Sequence, residues 1–246
     1  MKILVLNPNT SEDMTELVMR VLAPLTPAGV TLKPATGRFG ARYISSRSAG
    51  AIAGHAALDA YAEHGMDCDA VYLACFGDPG LFALKELAGI PVLGMAEAAC
   101  RRAAALAGRF SIVTGGERWG PILTEFVASL GLADSLASIV TVAPTGGDIA
   151  ADPEGSIALL AAACRRAVEQ DGAGAVILGG AGLAGLAARV EPLVGAPVLC
   201  SAATGFAAVL EALGKPYDKP ERGDLALPAP VPGIGLSPSL AKLISG

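Results

Sequence analysis

The chain is poor in aromatic residues: Phe, Trp and Tyr together make up 4% of its 246 positions. Proteins that bind single-stranded nucleic acid stack bases on aromatic platforms, and this sequence has few to offer. It has no basic run either, and its net charge is −5. Contacts to a phosphate backbone rest on clustered Lys and Arg, so nucleic-acid partners are not expected. Histidine is scarcer still. His55 and His64 stand alone, neither in a set with metal-ligand spacing, so no metal site is expected. The five cysteines (Cys68, Cys75, Cys100, Cys164 and Cys200) form an odd set with no C-x-x-C pair, which argues against a disulfide framework.

Membrane signals are also weak. The uncharged run from Gly172 to Ala188 is broken by glycines and falls just short of the roughly 18 apolar residues that span a bilayer. The opening "MKILVLNPNT" has four apolar residues before Asn7-Pro8, too few for the core of a secretory leader. A soluble, cytoplasmic chain with no membrane partner is expected.

Hydrophobic residues are abundant, at 52%. They support a sizeable core with helices lying close on sheet. The length suits one large domain or two of about 100 residues. Apolar strand patterns at 2–7, 29–35, 70–76, 91–95, 110–115, 138–144, 175–180 and 196–200 alternate with helical stretches. Such alternation with apolar strands predicts parallel sheet covered on both faces.

The pattern repeats. "DAVYLACFGDPGLFALKELAGIPVLG" (69–94) overlays "GAVILGGAGLAGLAARVEPLVGAPVLC" (174–200), so that Val71 falls on Val176, Leu73 on Leu178, Cys75 on Gly180 and Gly77 on Gly182. "KILVLN" likewise falls on "FSIVTG". A duplicated half-domain explains this. The predicted fold is α/β: two pseudosymmetric three-layer α/β halves, mainly parallel in sheet, with a cleft between them. Residues 1–95 with about 205–246 form the first half, and 96–204 the second. The proline- and glycine-rich stretch from Lys215 reads as an extended or mobile tail ending in a short helix.

In open α/β sheets ligands bind at the carboxyl ends of strands, which singles out several residues. Cys75 ends a strand before a glycine turn. Free cysteine is usually a small buried hydrophobe, but a helix starting near Pro79 or Gly80 would favour its thiolate. A thiolate poised near neutrality can take a proton from carbon beside a carbonyl, or return one. Phe76 and Gly77 follow it, with Gly180 and Ala181 in the matching place of the second half. "NPNTS" (7–11) is a turn in any reading, and Asn9 and Thr10 could donate hydrogen bonds to a carboxylate or imide oxygen. Thr114 and Gly115 of "TGGER" take the corresponding position.

Other features read more blandly. Gly180, Gly182 and Gly185 spell G-x-G-x-x-G, but Cys200 and Ser201 stand where a dinucleotide site needs an acidic residue. Cys200 ends a strand and so could border the cleft. His55 lies on an Ala-rich helix with Asp59 one turn later and reads as a solvated or packed histidine. Asp78 suits a cap for the helix that follows it. Arg42 and Tyr43 lie in a loop placed to close over the cleft.

"LNPNTS", "ACFGDPGL", "PVLGMAEAA" and "AVILGGAGLAG" followed by "APVL" resemble the aspartate/glutamate racemase superfamily, and within it the hydantoin and allantoin racemase group. The resemblance covers about residues 1–213. It implies a cofactor-independent isomerase acting on a carbon acid next to a carbonyl, with a small-molecule substrate bearing carboxylate or imide oxygens. Oligomeric state stays open. Such racemases use two cysteines, one for each face of the substrate. The first matches Cys75; the second belongs where this chain has Gly180. Water or Cys200 could serve the second face. The alternatives are a one-thiol decarboxylase resembling arylmalonate decarboxylase, or a non-catalytic small-molecule binding protein with the same cleft.

Overall fold

The computed structural model describes residues 1–245. The first half runs β1 (Lys2–Asn7), α1 (Glu12–Leu22), β2 (Thr31–Thr36), α2 (Arg47–His64), β3 (Ala70–Leu73), α3 (Leu81–Leu87) and β4 (Val92–Gly94). The second runs α4 (Met95–Ala107), β5 (Phe110–Gly115), α5 (Trp119–Ser129), β6 (Leu136–Val142), α6 (Gly146–Ala151), α7 (Pro153–Glu169), β7 (Ala175–Gly179), α8 (Ala187–Val190) and β8 (Val198–Cys200). Two helices close the chain, α9 (Ser201–Leu213) and α10 (Pro238–Ser245).

The strands form two four-stranded sheets of the same order, β2-β1-β3-β4 and β6-β5-β7-β8, with every pair parallel. The internal repeat thus becomes two copies of one topology. Apolar residues fill both faces of the central strands, as parallel sheets require. Ile3 and Val5, Tyr72, Phe110 and Ile112, and Ile177 point into one shared core between the sheets. Leu4, Leu6, Val71 and Leu73 face a separate cluster outside the first sheet, and Val113, Val176 and Leu178 one outside the second. This is the two-residue alternation of extended chain.

Two helices tie the halves together. α4 follows β4 but packs against β5 and β7; α9 follows β8 but packs against β3 and β4; and the two helices touch each other. The buried Tyr72 hydroxyl donates to the Ala202 carbonyl at 2.8 Å, fixing α9 to the first sheet. The tail is bound rather than loose. Lys219 donates to the carbonyls of Lys85 and Glu86 at the end of α3, and α10 packs on α2. No helix among the described residues is long and apolar enough to cross a membrane.

His55 is a packed histidine, its ring edge-on against Phe39, while Asp59 pairs with Arg38. One local expectation fails here. Asp78 caps α4, not α3. Its two carboxylate oxygens accept the N–H groups of Ala96 at 3.0 Å and Glu97 at 2.7 Å. A β-carbon at Gly94 would lie 2.1 Å from the Asp78 carboxylate, so glycine there lets the acid reach the helix end. Asp78 itself holds φ at 44°, an uncommon conformation that Asp tolerates better than most residues. The turn after Cys75 is thereby fixed to the start of the second half.

Burial pushes the Asp78 carboxyl up to about 8, against the pull of the two amides. Its folded-state pKa lies above the unfolded value, so its contribution to stability is full below about pH 4 and is lost as pH rises towards 8. Asp78→Asn turns an N–H₂ towards one of the two amides and should destabilise the fold by about 1–3 kcal/mol. It should also remove that part of the pH dependence. Urea midpoints at pH 4 to 8 check both, and an unchanged difference between wild type and variant across that range would rule out this role.

Candidate active site

The "NPNTS" turn leaves β1 as a small network. Asn7 Nδ2 donates to Asn9 Oδ1 at 2.8 Å, to the Ser11 carbonyl and to Thr15 Oγ1. The Ser11 N–H also donates to Asn9 Oδ1 at 2.8 Å. Two donors converge on one Asn9 atom, which fixes it as the oxygen. Asn9 Nδ2 then has no protein acceptor among the described residues, and Asn9 borders a cavity between the two sheets. Thr10 is not among that cavity's lining residues; its main-chain N–H donates to the Ala41 carbonyl. Ser11 occupies the start of α1 without capping it by its side chain.

Cys75 lies two residues beyond β3 and lines the same cavity, buried among the shared core residues. Burial, with a smaller push from the Asp78 carboxylate, raises its thiol to about 12. The expected thiolate-favouring helix end does not prevail. α3 has only seven residues and starts from a left-handed Gly80, and a helix end is worth only about 0.3–1 kcal/mol at an exposed site. Burial thus favours the neutral thiol at Cys75. The Phe76 ring also lines the cavity and lies against Gly179 of the second half.

The opposite wall is β7 and the turn after it. Gly180 and Ala181 line the cavity, and the Thr114 hydroxyl, also on the wall, donates to the Gly179 carbonyl at 2.7 Å. The Gly180 N–H donates to the Ser201 hydroxyl at 3.2 Å. Gly180 has φ 130° and ψ 145°, a region essentially reserved for glycine. A β-carbon there would meet only Leu183 at 3.6 Å and the Thr114 hydroxyl at 3.9 Å. The space is open; the backbone is what selects glycine. Cys200 does not border the cavity, and its sulfur accepts the Gly185 N–H at 3.4 Å.

Main-chain donors complete the site. The N–H groups of Phe76 and Gly77, and of Ala181 and Gly182, find no acceptor among the described residues. These are corresponding positions of the two halves. Unpaired donors at two strand ends suit ligand oxygens, and above all an oxygen that gains charge during a reaction.

Tyr43 closes one side. Its hydroxyl accepts from Trp119 Nε1 at 3.3 Å and from the Gly146 N–H at 3.4 Å, and donates to the Gly115 carbonyl at 3.4 Å. The loop before α2 therefore reaches across to the second half, while Arg42 beside it pairs with Asp13 at 3.0 Å on the surface. Of the residues singled out from sequence, Asn9, Cys75, Phe76, Thr114, Gly180 and Ala181 meet at the cavity; Thr10, Gly77 and Gly115 are not part of its wall. Gly77 backs onto the Trp119 ring. Met14, Ile44, Trp119 and Leu183 also line it and carry no strand-end signal in the sequence. Trp119 had one available: it is the chain's single tryptophan, just past the "TGGER" turn. No cluster of metal-ligating side chains occurs among the described residues.

Comparison with known proteins agrees with this geometry. The chain matches the Asp/Glu/Hydantoin racemase family over residues 3–209. It is 36% identical to a hydantoin racemase of Paenarthrobacter aurescens over 220 residues, covering 87% of this chain and 92% of that protein. The structure of an allantoin racemase from Klebsiella pneumoniae superposes with a TM-score of 0.86 at 32% identity, covering 99% of this chain and 98% of that one. Arylmalonate decarboxylase is more distant, with 18% identity and a TM-score of 0.61 over 92% of this chain and 98% of that one, and shares the fold alone. By sequence and by architecture the chain belongs to the Asp/Glu/hydantoin racemase family.

Proposed function

We propose that the chain is a cofactor-independent racemase of a hydantoin-type carbon acid, with Cys75 as its proton-transfer group. The observation that carries this reading is one thiol in a cavity between two equivalent strand ends, each offering free main-chain N–H groups. Deprotonation at carbon beside a carbonyl breaks the C–H bond and sends its electron pair into the carbonyl oxygen. In this reading the free N–H groups of Phe76, Ala181 and Gly182 hold that oxyanion. The resting thiol first gives its proton to solvent, and the small thiolate fraction so formed takes the substrate proton on its face. A water on the Gly180 side returns one to the other face, and the thiol gives its proton back to the hydroxide left behind.

In this reading Gly180 stands where the resembling racemases carry their second cysteine. This reading makes the chain a one-thiol version, in which proton transfer on the second face is the harder step. Loss of one member of an acid/base pair typically lowers rate by about 10²–10⁴-fold.

Three outcomes follow from the resting thiol and the bare second face. Iodoacetamide should alkylate Cys75 at pH 7 at least about 100-fold more slowly than an ordinary cysteine, and the rate should climb with pH without levelling below pH 10. Mass spectrometry of the labelled peptide checks this, and a plateau near pH 7–8 would contradict the neutral thiol. Cys75→Ala should abolish racemisation of a 5-substituted hydantoin and deuterium uptake at C5 in D₂O. If exchange persists at the wild-type rate, Cys75 is not the proton-transfer group. Gly180→Cys should raise racemisation, yet lower stability by about 1–3 kcal/mol because a side chain strains that φ. Gly180→Ala separates the effects: it carries the strain without the thiol and should show no gain.

A further inference from the structure

The cavity wall contains no Asp, Glu, Lys, Arg or His. Its polar groups are neutral, namely the Asn9 amide, the Tyr43 and Thr114 hydroxyls and the Cys75 thiol, together with the free main-chain N–H groups. Its remaining side chains are apolar: Met14, Ile44, Phe76, Trp119 and Leu183. The arginines nearest the closing loop are already spent. Arg42 pairs with Asp13 and Arg47 with Glu125, the latter through two contacts, one of 3.0 Å. Arg118, next to Trp119 in sequence, lies in an outer surface hollow with Ser45 and Pro121 instead.

We infer that the site selects uncharged hydantoins whose 5-substituent is apolar, and discriminates against acidic substrates and against a 5-ureido group. The inference rests on the racemase reading above and narrows its substrate. A ligand carboxylate brought into this wall leaves water and meets no cation, and an unpaired buried charge is strongly disfavoured. A neutral imide ring carries no such burden. Its carbonyls can use the main-chain donors in the ground state, and negative charge develops on oxygen only as the C–H bond breaks. The donors then bind the transition state more tightly than the substrate, which is the condition for catalysis. A ureido arm adds several N–H and C=O groups. Asn9 Nδ2 and the weakly donating Cys75 thiol are the free side-chain donors among the described wall residues, while the Tyr43 hydroxyl already has three partners and that of Thr114 is committed to the Gly179 carbonyl. Most of the arm's polar groups would face Met14, Ile44 or Leu183 unpaired.

The test is a substrate panel on the wild-type protein: 5-isobutyl and 5-benzyl hydantoin, the 5-ureido hydantoin, 5-carboxymethyl hydantoin and phenylmalonate. Racemisation is followed by chiral chromatography, C5 deuterium uptake by mass spectrometry, and binding by protection of Cys75 from alkylation. The apolar pair should exceed the carboxymethyl compound by at least about 100-fold in kcat/KM and the ureido compound by about 10–100-fold. Phenylmalonate should neither protect Cys75 nor release CO₂. Met14→Lys places a cation on the partly exposed part of the wall and should raise the carboxymethyl-to-isobutyl ratio at least about 10-fold. An unaltered ratio in folded Met14→Lys, or wild-type turnover of the acidic or ureido compound equal to that of the apolar pair, overturns the selectivity while leaving the racemase reading intact. No protection, exchange or racemisation with any hydantoin overturns that reading itself.

Discussion

Desolvation governs this site. Cys75 lies where the shared core of two sheets comes up to the carboxyl ends of β3 and β7, and the described residues that line its cavity carry no charged side chain. Three consequences have this one cause. The thiol stays protonated at rest, because its anion would be stranded in apolar surroundings. The free main-chain N–H groups of Phe76, Ala181 and Gly182 would act on a ligand oxygen in a medium where a hydrogen bond to developing charge is stronger than in water. And selectivity between neutral and charged ligands needs no dedicated filter, since the wall disfavours charge by default.

The cavity exists because of the pseudosymmetry. A parallel sheet with apolar residues on both faces must be covered twice, and here each sheet covers the other's inner side through α4 and α9, exchanged between halves. That packing sets corresponding strand ends opposite one another, so Cys75 and Gly180 share one cavity. Asp78 reinforces the arrangement by seizing the first turn of α4 from the turn just beyond Cys75. The same acid that holds the two halves in register raises the thiol's pKa a little further. Structure and reactivity are coupled there through a single carboxylate.

Much of this was readable in the sequence, for identifiable reasons. Doubly buried strands such as "KILVLN" and "AVILG" are continuous apolar runs, and a duplication shows as one register repeated, so fold and strand-end residues followed from local pattern. Asn9, Cys75 and Gly180 lie within two residues of a strand and were visible on that account. Tyr43, Met14, Ile44 and Trp119 come from a loop and from helix faces whose approach to the site depends on tertiary packing; of these, Tyr43 alone had drawn notice, as part of a loop placed to close. Local pattern points Asp78 to the adjacent helix because capping is usually local, while its partners lie 18 and 19 residues on. The thiol's state turns on magnitudes that the sequence does not display. A short helix end gives a small push, and full burial a larger one of opposite sign.

The asymmetry between the two walls bears on how such an enzyme would work. Racemisation has an equilibrium constant of one, so kcat/KM must be equal for the two enantiomers however unlike their proton donors are. A missing second thiol therefore cannot bias the reaction's outcome; it can only raise the barrier shared by both directions and divide kcat from KM differently for each enantiomer. Gly180 is also more than a deletion. Its glycine-only φ sets its own N–H on Ser201 and leaves those of Ala181 and Gly182 without protein acceptors, while Thr114 holds the preceding carbonyl. On the proposed reading the second half contributes backbone donors where its counterpart contributes sulfur, and a wall without a proton-transfer group would keep the means to stabilise the anion that proton transfer creates.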